Sequence, residues 1–246
     1  MVKLNTGWRI KGDLHNHSNY SDGKNSIREM AEKFMEKGYE YFGMTDHSKV
    51  MAVTNGMDKE KIQRQWKEID EVQKELGDKI KILKGCEVDI LKDGSLDFEN
   101  EVLQQLDIVV ISAHLYHTLE PAEQTKRMIA AIENPYSMIL GHPTGRLINR
   151  RSGMEFDMEK VITACVDNNV VLEINSNPNR LDLADKYLRI AKEKGAKFAI
   201  DTDSHSVFNP DFMRFGIGIA RRGWLEAEDV INTYGLAELT GVLGKV

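Results

Sequence analysis

The sequence predicts a closed or nearly closed β/α barrel. Seven short β-rich runs recur along its 246 residues, and helical patterns lie between them. The unit of about 30 residues is the length of a strand with its crossover, which implies parallel strands in one sheet. The unit type repeats without a solenoid-like sequence period, and no Pro-rich linker or shift in composition marks a second domain. One domain over residues 1–246 is therefore expected. An open doubly wound sheet is the alternative, and periodicity alone does not separate the two.

The strands are expected at Trp8–Leu14, Tyr41–Thr45, Ile80–Ile90, Ile108–Ala113, Met138–Gly141, Val170–Asn175 and Phe198–Thr202. The first helix, Ser26–Lys37, opens with Ser26-Ile27-Arg28-Glu29, a capping box that satisfies free amide donors at a helix start. Asp58–Leu76 carries Ile62, Trp66, Ile69, Val72 and Leu76 at helical spacing, the sign of one buried stripe. Further helices fit Ala122–Glu133, Asp157–Asn168, Leu183–Lys194 and Glu226–Asn232, with one more at the end.

Composition narrows the function. Lys and Arg number 33 against 39 Asp and Glu, a formal charge of −6, which disfavours coating nucleic acid through bulk charge. A local basic patch stays open. Apolar runs reach about five residues, as in Met128–Ile132, far short of the roughly 18 that a membrane span needs. The N-terminus has no apolar signal region, and two cysteines, Cys86 and Cys165, are too few for a disulfide framework. Reduced thiols and a cytoplasmic location are expected. Gly216–Arg221 lacks the third glycine of a dinucleotide fingerprint, and Gly241–Lys245 has only two residues between its glycines, so it is no P-loop. No G-x-S-x-G nucleophile elbow is present.

The histidines carry the chemical signal. His15, His17, His47, His114, His142 and His205 each fall at or just past the end of an expected strand; only His117 does not. In a β/α barrel those ends converge on the face where active sites are built. His15 and His17 share one side of an extended segment, as do Asp203 and His205, so each pair can meet one divalent ion. Asp22 follows in a loop beside Gly23, and Glu87 sits in the third strand. Carboxylates crowded on one rim repel one another, and divalent cations are the natural compensation. Imidazole with carboxylate and no thiolate suits zinc, manganese or iron, and nine candidate ligands imply two or three ions. Such a cluster clamps the attacking and leaving oxygens of a phosphoryl displacement. Arg146 and Arg180 lie close to the same rim and suit phosphate recognition, while Arg150 and Arg151 fit solvated loop charges. Asp13 and Asp46 are candidates to orient ligand imidazoles.

The segments Asp13–Ser18, Thr45–Ser48, Gly85–Asp89, Ser112–His114, Gly141–Pro143 and Asp203–His205 together resemble the polymerase and histidinol phosphatase (PHP) family, in that family's order. The resemblance implies a distorted (β/α)7 TIM-like barrel with a trinuclear metal site that hydrolyses phosphoesters. It implies three divalent ions: one on His15, His17, Glu87 and Asp203, a second on Glu87, His114 and His142, and a third on Asp22, His47 and His205. Gly94–Asp97, Gly141–Arg146, Asn177–Leu183 and Gly218–Leu225 look like the PHP domain of bacterial family X DNA polymerases, and Asp22 stands where many PHP phosphatases have His. The barrel accounts for this whole sequence, without a polymerase module.

The expected activity is metal-dependent phosphoester hydrolysis by a metal-activated hydroxide, on DNA 3′ ends as an exonuclease or 3′-phosphatase. The alternative within that class is a small phosphomonoester such as histidinol phosphate. A reading from another class is a silent structural or regulatory PHP module, which should have lost ligands; all nine positions are filled here.

Overall fold

The structure is a computed structural model and describes residues 8–244. Seven strands form one sheet in sequential order, every neighbouring pair parallel. They are β1 (Gly12–Asp13), β2 (Tyr41–Met44), β3 (Lys81–Asp89), β4 (Ile108–Ser112), β5 (Ile139–Leu140), β6 (Val171–Asn175) and β7 (Phe198–Asp201). Strands β4 and β6 are buried along their whole length, as expected where a core lies on one face and helices on the other. The sequence predicts longer strands at both ends of β1 and β5, where pairing stops as the chain turns towards the rim.

Each strand is followed by its helix: α1 (Ile27–Glu36), α2 (Lys59–Leu76), α3 (Asn100–Leu103), α4 (Pro121–Ile132), α5 (Met158–Asp167), α6 (Asp185–Glu193) and α7 (Met213–Arg222), with α8 (Leu236–Val242) closing the described chain. Ser26 and Glu29 form the expected capping box on α1, and Asp58 and Asp157 cap α2 and α5. Helix α1 buries Ile27, Met30, Ala31 and Phe34 on one stripe against the strands.

The fold adds two helices that the sequence reading did not expect, Asn100–Leu103 and Met213–Arg222, and replaces one that it did. Met213–Arg222 is helical although Gly216 and Gly218 weaken its helical pattern; a Cβ on Gly216 would stand 2.1 Å from Ser176 Oγ, so the glycine permits close approach of α7. Conversely Glu226–Asn232 forms two short 3-10 turns, Ala227–Asp229 and Ile231–Thr233. Tertiary contacts override local pattern there, because Val230 bridges Phe198 and the Asn232 amide is drawn into the sheet.

That amide closes the barrel. No ladder joins β7 to β1 among the described residues. Asn232 Oδ1 accepts from Ile200 N at 2.7 Å, while its Nδ2 donates to Gly12 O at 3.2 Å and Ile200 O at 2.9 Å. Nearer the rim, Leu14 N donates to Asp201 Oδ1 (2.7 Å) and Thr202 Oγ1 to Asp13 Oδ2 (2.6 Å). Beyond the strand ends His17 N donates to Ser204 O at 2.8 Å. The seam is thus sewn mainly by side chains, and it brings His15 and His17 against Asp203 and His205. Among the described residues no helix is long and apolar enough to cross a membrane.

Candidate metal centre

Six strands deliver the cluster. His15 and His17 follow β1, His47 follows β2, Glu87 lies within β3, His114 follows β4, His142 follows β5, and Asp203 and His205 follow β7. Asp22 reaches in from the β1–α1 loop. Glu87 is wholly buried and central. Its Oε2 lies 3.2 Å from His15 Nε2, 3.6 Å from His17 Nε2 and 2.9 Å from His47 Nδ1. Its Oε1 lies 3.3 Å from His114 Nε2 and 2.9 Å from His142 Nε2. Asp203 Oδ1 is 3.1 Å from His17 Nε2 and 3.8 Å from His15 Nε2. Asp22 Oδ1 is 3.6 Å from His47 Nε2 and 3.3 Å from His205 Nε2. All nine sequence-derived candidates therefore meet in one cluster.

Alignment says what these atoms face. Several approaches are short enough for hydrogen bonds, yet His15 Nε2, His47 Nδ1, His114 Nε2 and Glu87 Oε2 are buried without a hydrogen-bond partner. Buried polar atoms are rarely left so. Donor atoms each about 2.1 Å from a common ion sit about 3.0–3.4 Å apart at octahedral or tetrahedral angles. The four unpartnered atoms fit that spacing around a shared centre, while His17 Nε2 pairs with Asp203 Oδ1 and His142 Nε2 with Glu87 Oε1. Three groups of donor atoms converge in that way: His17, Asp22, His47 and His205; His15, His17 and Glu87; and His47, Glu87 and His114. The residues present fit divalent ions.

Without ions the cluster balances its charge with protons. Burial alone would neutralise Glu87, but His15, His114 and His47 hold it well below the usual carboxylate range. Asp203 is likewise held low against burial by His15, His17 and His205. Reciprocally, His114 rises to about 10 against its burial, through Glu87 and Asp89, and His205 to about 9 through Asp22 and Asp203. His17 falls to about 4 through burial and the neighbouring His205 and His47, and His142 to about 3 through burial and Arg180. Two of the cluster residues, Asp203 (φ +51°) and His142 (φ +24°), have left-handed backbone, a conformation that persists only where surrounding structure enforces it.

Residues outside the sequence-derived set orient the rings. Glu173, in β6, accepts from His15 Nδ1 at 2.6 Å and also from His142 N. Asp89, at the end of β3, lies 3.1 Å from His114 Nδ1. Each places the ring proton on Nδ1 and leaves Nε2 facing Glu87. The signal was available: Glu173 is an acid flanked by Leu172 and Ile174 inside a buried strand, where a charge needs a partner. Asp13 and Asp46, expected to orient imidazoles, instead hold chain segments. Asp13 accepts from Thr202 N and Oγ1 across the seam, because its neighbour in space is β7. Asp46 accepts from Ser18 N, Ser18 Oγ, Ser21 Oγ and Gln65 Nε2, fixing the loop that carries Asp22.

The two arginines part ways. Arg180 reaches the cluster, its Nε 3.4 Å from Asp203 Oδ2 and its Nη1 buried without a partner. Arg146 turns to the next loop, donating from Nε to Arg180 O at 2.8 Å and from Nη2 to Leu181 O. It therefore props Arg180, since the loop carbonyls occupy its donors. His117 donates from Nε2 to His114 O at 2.8 Å and packs against Gly145.

Fold and site together define a metal-dependent phosphoesterase of the β/α-barrel class. The chain belongs to the PHP domain family, whose model matches residues 13–205. The DNA polymerase/3′-5′ exonuclease PolX of Bacillus subtilis is 44% identical over 235 residues, covering 96% of this chain and 41% of that protein. The chain thus spans less than half of that relative's length. A protein of Thermoanaerobacter sp. named as a probable phosphatase is 30% identical over 235 residues, 90% of this chain and 89% of its own. The fold is shared with histidinol phosphate phosphatase of Lactococcus lactis, solved with zinc, L-histidinol and phosphate, at a TM-score of 0.68 and 20% identity. That match covers 88% of this chain and 95% of the other.

Proposed function

We propose that the chain hydrolyses phosphoesters with two or three divalent ions, and that its substrate is the 3′ end of a nucleic acid. The observation that carries the first part is Glu87, whose two oxygens face five imidazoles while key donor atoms have no hydrogen-bond partner. On this reading His15, His17, Glu87 and Asp203 hold one ion, Glu87, His114 and His142 a second, and Asp22, His47 and His205 a third; zinc, manganese and iron all suit these donors. Bound there, such ions activate water and neutralise charge on phosphoryl oxygens. Arg180 binds and orients the phosphate through its free donors, and Arg146 holds it in place. Glu173 and Asp89 fix the ring tautomers that leave Nε2 free.

The nucleic-acid part is supported by the extent of the likeness to PolX over nearly the whole chain. A small phosphomonoester is the second reading, supported by the probable phosphatase that matches over nearly its full length. Manganese-supplemented hydrolysis of a 5′-labelled single-stranded oligonucleotide separates them. A ladder shortening from the 3′ end, absent with Glu87→Ala, supports the first. An intact oligonucleotide beside turnover of a small phosphomonoester leaves the second.

A further inference from the structure

Outside the ligand cluster, the β5–α5 and β6–α6 loops lock together at the rim. Leu147 and Arg151 pair in a tight turn, with Leu147 N donating to Arg151 O at 2.9 Å and Arg151 N to Leu147 O at 2.8 Å. Ile148 N donates to Asn179 O at 2.7 Å, which docks this turn on the loop that carries Arg180. Arg151 returns across its own turn, donating from Nη2 to Gly145 O at 2.7 Å and from Nε at 3.2 Å. Gly145 (φ +62°) sits under it, hemmed by His117.

Charge at this place is unbalanced. On the helices the cations are commonly paired: Arg28 with Glu75, Lys37 with Asp211, Lys192 with Glu226 and Asp229, Arg222 with Asp185. Among the described residues Arg151 has no carboxylate within ion-pair distance, and the only one within that distance of Arg180 is Asp203, a member of the ion cluster. Arg180 is mostly buried and keeps Nη1 without a partner. Burial lowers the Arg151 pKa, and the Arg180 charge lowers it further, so the two guanidinia sense each other. The Ile148–Asn179 bond thus docks the turn that carries Arg151 on the loop that carries Arg180, and two cations on adjoining rim loops of a chain of net charge −6 suit an external anion. Neutral His117, whose Nε2 donates to His114 O, carries no negative charge to balance them.

We propose that Arg151, beside Arg180, forms a second anion subsite that receives the phosphate adjoining the one being cleaved. The site then selects substrates with two neighbouring phosphates, which an internucleotide backbone supplies and a lone phosphomonoester does not. The inference rests on the phosphoesterase reading above and sharpens it. Sequence reading treats Arg151 as a solvated loop charge; the residue is exposed, and its two bonds to Gly145 O give its guanidinium a defined place.

The test uses the manganese-loaded full chain and thymidine trinucleotides, with the penultimate linkage either a phosphate or a neutral methylphosphonate. In the wild type the neutral linkage lowers kcat/KM by about tenfold or more, as loss of a charge-assisted hydrogen bond requires. In Arg151→Gln the two substrates are cut alike, and in Arg151→Lys most of the preference returns. Melting curves confirm that both variants fold. An equal penalty in wild type and Arg151→Gln overturns the subsite while leaving nuclease activity intact. Should the wild type cut no oligonucleotide yet hydrolyse small phosphoesters, the nucleic-acid reading falls. A sugar bisphosphate against its monophosphate then decides: a wild-type preference lost in Arg151→Gln upholds the subsite, and no preference overturns it. A metal-loaded chain that hydrolyses none of these removes the phosphoesterase reading and the subsite together.

Discussion

Glu173→Gln keeps the shape of a buried side chain and removes its ability to accept on both sides. Glu173 Oε1 accepts from His15 Nδ1 at 2.6 Å, and Oε2 accepts from His142 N and from Asn175 Nδ2 at 3.2 Å. A glutamine offers one acceptor and one NH2. If its oxygen faces His15, the NH2 confronts the His142 and Asn175 donors. If it is flipped, His15 Nδ1 becomes an acceptor and the ring proton moves to Nε2, the atom facing Glu87. The first orientation breaks two buried hydrogen bonds, and the second keeps them all but puts a proton on the nitrogen that faces the ion; the cost is about 2 kcal/mol, or about 30-fold in affinity. That lies inside the 10–100-fold range typical when a residue supporting a metal ligand is altered. The assay is metal content after dialysis against graded chelator, with circular dichroism to show an intact fold. Retention of metal and turnover within about twofold of wild type would refute the assignment of His15 Nε2 as an ion donor oriented by Glu173.

Three further outcomes follow from the same geometry. Asn232→Ala removes the amide that serves Gly12, Ile200 and Asp201, and should lower stability by about 3 kcal/mol in urea unfolding; a loss below about 1 kcal/mol would show that the seam closes without it. In metal-free protein His114 (about 10) and His205 (about 9) are raised above the ordinary 6.5, against burial, by Glu87 and Asp89 and by Asp22 and Asp203. Their contribution is full below 6.5 and disappears as pH rises through 9 to 10, so calorimetry should show the metal-free Tm falling there and the metal-loaded Tm holding. Gly145→Ala places a Cβ 2.9 Å from His117 Cε1 at positive φ and should destabilise by about 1–2 kcal/mol, partly recovered by His117→Ala; no recovery would mean that backbone strain accounts for the whole effect.

Much of the rim could be read from the chain because ligand residues sit at strand ends, where an apolar run stops and a polar side chain is conspicuous. His15, His47, His114 and His142 each mark such an end, and the structure brings them around Glu87. What stayed hidden depends on contacts between distant segments. Nothing local tells that the Arg146 guanidinium ends on the carbonyls of residues 180 and 181, or that Asp13 looks across the seam to Thr202. Helix α7 was obscured for a related reason, since Gly216 is dictated by packing on Ser176 and not by helix preference. The 3-10 turns at 227–233 show the converse, local helical pattern yielding to an asparagine needed by the sheet.

The seam between β1 and β7 also joins the first and last strands of the barrel in time. His17 and Asp203 are 186 residues apart, yet lie 3.1 Å from each other. On the proposed assignment, an ion there acts as a clasp across nearly the whole barrel, and closing so long a loop is where a cross-link restricts the unfolded chain most in principle. A barrel emerging from synthesis holds His15, His17, His47 and Glu87 early but lacks Asp203 and His205 until its seventh strand has appeared. Two of the three ion sites therefore cannot be completed until the barrel is almost whole, which delays hydrolytic competence until the fold can contain it.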